Sequence, residues 1–404
     1  MACGPNVAHQ FNVSCLKPPK DGALTINNIL TSNGGCNNNA ENTAASQNFG
    51  ICKGPQVNVS CKESCGNGHV NVGKESCNGH VSFSNGHGSA LNKENDNLDV
   101  LTSKVLIIGA TGFIGHFVAQ ASVKSGRQTY AFVRPGTSKQ KVVQALSDSG
   151  VHILYGCLED YNSLVRAIRQ VDIVISTVGG PQILSQLRII DAIKEVGATV
   201  KRFLPSEFGH DVDQADPEEP ALTFYIEKRK IRRAVEEAMI PYTYICCNSI
   251  AGWPYYYHTH PTELPPPSDR FEIYGDGNVK AYFVTGEDIG TYTMKSVDDP
   301  RTLNKSLHFR PPHNFLSLNE MANIWETKIH KTLPRAVITE DDLLVIAKAN
   351  FMPSSIVAAL THDIFINGCQ FKFPIKEPQD VEACELYPDF KYTTIEDFFS
   401  QYII

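Results

Sequence analysis

From residue 104 onward the chain alternates between two hydrophobic rhythms. Val105 to Ile108 are four apolar residues in succession, the pattern of a short strand buried on both faces of a parallel sheet. A glycine-rich stretch follows, then a helical pattern that ends near Gly126. Thr129 to Val133 read as a second strand, residues 152–156 (HILYG) as a third, and the apolar part of residues 171–180 (VDIVISTVGG) as a fourth. Helical patterns occupy 160–170 and 183–196, and a further strand falls at 201–204. Pro217 and Pro220 delay the next helix, which starts near Thr223 and runs through FYIEKRKIRRAVEEAM. Two more helices are expected at 320–329 and 341–350. This rhythm predicts an α/β fold, a Rossmann-type doubly wound parallel sheet. Ligands of such sheets bind at the carboxyl ends of the strands, where Thr177, Ser206 and His210 fall.

Residues 1–100 follow neither rhythm. They are crowded with Asn, Gly and Ser, carry three Phe as their only aromatics, and contain no Arg. KESCGNGHV at 62–70 returns as KESCNGHV at 74–81. Such a segment buries too little apolar surface to offset its ordering entropy, so a disordered extension is expected. The division expected is 1–100 as extension, 101–255 as the NADP-binding domain and 256–404 as mainly a substrate-binding region, with some of its segments returning to the first domain. Cys61, Cys65, His69, Cys77 and His80 match no standard zinc spacing, and His258 and His260 lack companions at ligand spacing, so no metal is expected.

Across 404 residues the formal charge is −7, which offers no basic face for nucleic acid. No run approaches the roughly 18 apolar residues of a membrane span. The start lacks a basic region followed by an apolar one, so a cytoplasmic protein without disulfides is expected. The lack of Arg and the scattered acids argue against a plastid transit peptide. Cys246 and Cys247 lie in an apolar strand-like run and are expected to be buried thiols.

The first chemistry lies in residues 104–115, KVLIIGATGFIG. Gly109, Ala110, Thr111, Gly112, Phe113, Ile114 and Gly115 form a G-x-x-G-x-x-G loop between strand and helix. Glycines there permit the tight turn, the approach of a pyrophosphate to the backbone, and close helix–strand packing. Arg134 ends the second strand, roughly 20 residues after the loop, where an acid would hold the ribose of NAD and an Arg suits the 2′-phosphate of NADP. Lys139 could add a second positive charge. NADPH is therefore the expected cofactor, with Thr177 beside it.

Farther along, Lys228 and Arg232 lie four apart on one helix face, with Tyr225 three before Lys228. The Tyr-x-x-x-Lys spacing of short-chain dehydrogenases is broken, because the fourth residue after Tyr225 is Arg229. That moves proton transfer from tyrosine to Lys228, with Arg232 depressing its pKa and touching the cofactor. A charged solvent face on this Lys- and Arg-rich helix stays open as the alternative.

Residues 202–211 (RFLPSEFGHD), 245–248 (ICCN) and 361–363 (THD) together resemble the three motifs of plant leucoanthocyanidin reductases. Those belong to the atypical short-chain group that includes isoflavone, pinoresinol–lariciresinol and phenylcoumaran benzylic ether reductases. The similarity runs from about residue 104 to the end, with Gly252 where the family usually has Ser. The resemblance implies that residues 109–115, Arg134 and Arg232 contact NADPH. It makes Lys228 and His210 the catalytic pair, and places Tyr225, Gly252 and His362 in the substrate pocket. The implied partner is a small flavonoid, a flavan-3,4-diol such as leucocyanidin; a related isoflavone, lignan or phenylcoumaran benzylic ether reductase, or a non-catalytic NADP-sensing regulator, stays open as the alternative. Lys228 removes the phenolic proton, His210 protonates the leaving C4 hydroxyl, and hydride reduces the quinone methide to a flavan-3-ol. This scheme calls for a neutral Lys228 and a charged His210 at the start.

Overall fold

The structure, a computed structural model, describes residues 103–251 and 266–403. Its first nine elements alternate. They are β1 (Val105–Ile108), α1 (Phe113–Lys124), β2 (Thr129–Val133), α2 (Gln140–Asp148), β3 (His152–Tyr155), α3 (Tyr161–Ile168), β4 (Ile173–Ser176), α4 (Gln186–Val196) and β5 (Arg202–Leu204). The strands form one parallel sheet in the order β3-β2-β1-β4-β5, with Val105 level with Thr129 on one side and Ile173 on the other. The order reverses beside β1, so the crevice opens between the carboxyl ends of β1 and β4. α2 lies outside the elements predicted from the sequence. Only Val143 and Leu146 of it are buried, too short an apolar stripe to stand out from the basic loop before it.

The later elements are α5 (Ala221–Glu237), β6 (Thr243–Cys246), β7 (Ser249–Ile250), β8 (Phe271–Tyr274), β9 (Lys280–Val284), α6 (Gly286–Ser296), β10 (Lys305–His308) and β11 (Phe315–Ser317). α7 (Leu318–Ile329), β12 (Arg335–Ile338), α8 (Glu340–Lys348), α9 (Ser354–Phe365), β13 (Asp380–Glu382), α10 (Ala383–Leu386) and α11 (Ile395–Ser400) complete the order. Phe203 bridges to Tyr242, and β6, β10 and β13 continue in parallel beyond it, so the sheet extends past β5. Two strands from after residue 256 thus pair within it, and α6 packs along α1, where Gly286 and Gly290 leave room for Phe117.

Alternation along β1 divides the core. Val105 and Ile107 pack with Val118 of α1 and Ile289 of α6, while Leu106 and Ile108 pack with Leu164, Ile189 and Ile231 of α3, α4 and α5. A separate cluster around Phe271, Met321, Trp325 and Phe365 also takes in Ala221 and Tyr225 of α5. That one helix therefore touches both the sheet and the later region, and its inner face is fixed from both sides. Among the described residues, no helix is long and apolar enough to cross a membrane. Residues 1–100, Gly252 and the two histidines at 258 and 260 lie outside the described residues.

Candidate active site

The loop after β1 has a geometry that other residues would break. Gly109 has φ +99°, and a Cβ on it would lie 2.6 Å from Thr177 Oγ1. A Cβ on Gly115 would lie 2.3 Å from the Gly109 carbonyl oxygen. Gly112 donates to that same carbonyl at 2.8 Å and caps α1, whose open N-terminus suits a phosphate group. Lys139 Nζ reaches back to the Thr111 carbonyl at 3.0 Å, and exposed Arg134 stands just past β2. The cradle fits a dinucleotide pyrophosphate, and the two cations beside it fit an extra phosphate. Gly115→Ala is expected to weaken NADPH binding by roughly tenfold or more, read by fluorescence titration; an unchanged Kd would contradict the cradle.

A cavity of about 270 Å³ opens at the same crevice, and Ile114, Thr177, His210, Tyr225, Lys228 and Asn248 all line it. Phe224 of α5 and Leu360 and Ile364 of α9 give it apolar walls. The loop from Ser206 to His210 forms its floor. Ser206 is tied by its N–H to Gln186 Oε1 at 2.8 Å, and the Gly209 carbonyl accepts from Asn248 N–H at 2.9 Å. Asn248 sits at φ 60°, a left-handed position that Asn tolerates, and its side chain donates to the Phe309 carbonyl at 2.9 Å. The Asn of ICCN thus braces the histidine-bearing loop.

Lys228 is 8% exposed and His210 7%. Lys228 Nζ donates to the Glu207 carbonyl at 2.6 Å and lies 5.2 Å from the centre of the Phe224 ring. Burial, the largest cause, holds its pKa below that of a free lysine, and Arg232 adds to the lowering while Glu207 opposes it. Lys228 is therefore buried at the cavity, and the solvent-face alternative falls away. His210 departs from expectation. Burial first, and Lys228 second, push it down to about 3, so the ring is neutral near pH 7 and the charged His210 required by the sequence reading is corrected. Its Nδ1 is 2.5 Å from the Tyr225 hydroxyl, and its buried Nε2 has no hydrogen-bond partner among the described residues.

Arg232 also differs. It is 1% exposed and sits between Glu207 (2.8 Å), Asp211 (2.7 Å) and Asp213 (3.0 Å), with its guanidinium 4.6 Å from the Tyr244 ring centre. Its Nη1 and Nη2 are held by those carboxylates beneath the floor loop, and it is not among the residues that line the cavity, which corrects its expected place at the cofactor. Glu207 is the residue that sequence reasoning passed over. Its carbonyl holds Lys228 while its carboxylate holds Arg232, and only a buried acid four residues before the Asp of GHD hinted at this. His362 is a further correction. Leu360 and Ile364 of α9 face the cavity, so His362 points the other way, with Nε2 3.0 Å from Glu340 of α8. Asp211, Cys246 and His308 cluster at metal-ligand distance, but Arg232 already supplies the positive charge there, 3.7 Å from Cys246 Sγ.

A family model described as NmrA-like matches residues 101–399. The chain belongs to the NmrA-like family. Its matched region begins where the composition changes. A leucoanthocyanidin reductase from Desmodium uncinatum is 53% identical over 306 residues, 74% of this chain and 80% of that protein. The binary complex of leucoanthocyanidin reductase and NADPH from Vitis vinifera has a TM-score of 0.71 at 57% identity, covering 74% of this chain and 99% of the other. Phenylcoumaran benzylic ether reductase TP7 from Nicotiana tabacum is 50% identical over 305 residues, 74% of this chain and 99% of that protein. The resemblance read from the three motifs and the Rossmann-type fold are both borne out.

Proposed function

We propose that this chain is an NADPH-dependent oxidoreductase of the leucoanthocyanidin reductase type that converts a flavan-3,4-diol, leucocyanidin, to a flavan-3-ol, catechin. The observation that carries this reading is a cavity in which Ile114 of the glycine loop, Thr177 beside that loop, Lys228 and His210 meet between apolar walls. Bound in the cradle, NADPH supplies hydride to C4 of the substrate.

The chain supplies the acid–base chemistry that makes C4 electrophilic. Lys228 as a neutral amine gives one N–H to the Glu207 carbonyl, which leaves its lone pair for the C7 phenol proton. His210 gives a proton to the C4 hydroxyl, water leaves, and a quinone methide remains. Phe224, Leu360 and Ile364 present flat and aliphatic surface to the phenolic rings and keep bulk water away from that reactive intermediate.

Purified protein incubated with NADPH and leucocyanidin is expected to yield catechin, read by chiral chromatography. The comparable identity to a benzylic ether reductase gives the second reading. Turnover of an isoflavone or a phenylcoumaran, with leucocyanidin untouched, would move the assignment to that reductase.

A further inference from the structure

We propose that Tyr225 is a positioning residue that holds His210 as its neutral Nε2–H tautomer and resupplies Nδ1 as the Nε2 proton departs. The inference rests on the reaction proposed above and adds how a neutral histidine can act as its acid.

The two ring nitrogens of His210 have different surroundings. His210 lines the cavity; its Nε2 is buried with no partner among the described residues, and its Nδ1 lies 2.5 Å from the Tyr225 hydroxyl. A phenol is a better donor than acceptor, because its lone pair is shared with the ring, while the bare nitrogen of a neutral imidazole is a strong acceptor. The hydroxyl therefore donates to Nδ1, and the ring proton sits on Nε2. The opposite polarity would leave Nε2, the nitrogen that Tyr225 does not hold, bare, and it could protonate nothing.

Neutrality creates a second requirement. A neutral imidazole that loses its Nε2 proton becomes an imidazolate unless Nδ1 gains a proton in the same step. Tyr225 holds one in place. As the C4–O bond breaks, the Nε2 proton goes to the departing oxygen and the Tyr225 proton goes to Nδ1. Histidine stays neutral and changes tautomer. The tyrosinate so formed lies three residues before Lys228 on α5, and Lys228 is then an ammonium carrying the C7 phenol proton. When hydride reaches C4, Lys228 returns its proton to the C7 oxygen; solvent then supplies a proton to His210 Nε2 while Nδ1 returns its proton to the Tyr225 oxygen, which restores both groups. One turnover consumes one NADPH and one proton and releases one water. Once it is an ammonium, Lys228 is the charged group acting on His210, and Cys247, whose charge would act on Lys228, is held as a thiol by burial that pushes it up to about 12.

The test is nitrogen NMR of protein labelled at histidine. The chain has 13 histidines, so the His210 signals are assigned by their loss in His210→Asn. Wild type is expected to show His210 as the neutral Nε2–H form throughout pH 5 to 8. Tyr225→Phe keeps the ring and is expected to give a tautomer mixture, a kcat lowered by about 100-fold, and a KM changed by less than about threefold. A wild-type His210 found as imidazolium or as Nδ1–H overturns the proposal. So does a Tyr225→Phe enzyme with unchanged tautomer, or one whose loss lies in KM alone. The tautomer is read without substrate, so a failure of the leucocyanidin assignment would not be mistaken for a failure here.

Discussion

Lys228→Met is expected to lower kcat by about 10²–10⁴-fold, the span of general acid–base catalysis, while NADPH still binds. Methionine fills the volume of the buried stem but has no lone pair of comparable basicity, so the C7 phenol keeps its proton and no quinone methide forms. The pH dependence of the wild type follows from the same group. A base works only when deprotonated, so kcat is low below the pKa of Lys228 and rises to a plateau above it. Burial and Arg232 lower that pKa, so the rise comes at lower pH than it would for an exposed lysine. His210, pushed down to about 3, is neutral across the working range and adds no descending limb between pH 5 and 8. A bell whose basic limb falls near the ordinary histidine pKa would show that an imidazolium carries the proton. Near-normal turnover by the Lys228→Met enzyme would remove Lys228 from the chemistry altogether.

Arg232→Met is expected to destabilise the fold by about 3–5 kcal/mol, measured as a lower urea midpoint at unchanged m. Glu207 and Asp211 are 1% and 5% exposed, and Arg232 is the cation that compensates both. Removing it leaves carboxylates buried without a partner, beneath the loop that carries His210. The activity that survives should show an NADPH affinity close to wild type, because the guanidinium lies under the floor and not in the cradle. If the urea midpoint held and NADPH binding fell, Arg232 would be a cofactor contact after all.

The sheet was largely legible because parallel strands buried on both faces write continuous apolar runs. β1 and β2 lie where those runs lie. The cradle was legible for a related reason, since Gly109 and Gly115 are positions where no side chain fits. The extension of the sheet beyond β5 was not, because β10 and β13 are short strands separated by long stretches of chain, and their pairing is set by tertiary contact. Site residues were readable by type but not by orientation. Lys228 and Arg232 share a helix face, yet one reaches the cavity and the other a nest of carboxylates, since Glu207, Asp211 and Asp213 come from the loop after β5. His362 was placed by motif, and helical phase turned it toward Glu340. The charge on His210 could not be read from its neighbours in sequence, because burial fixes it.

The central claim is hydride delivery to C4 in the cavity shared by the cradle and Lys228. Incubation of the protein with leucocyanidin and NADPH deuterated at the nicotinamide C4 tests it directly, with the flavan-3-ol examined by mass spectrometry and NMR. One deuterium per product molecule, located at C4, is expected from the wild type, with labelled product formed about 10²–10⁴-fold more slowly by Lys228→Met. Deuterium at another carbon, or a flavan-3-ol formed without label, would contradict it.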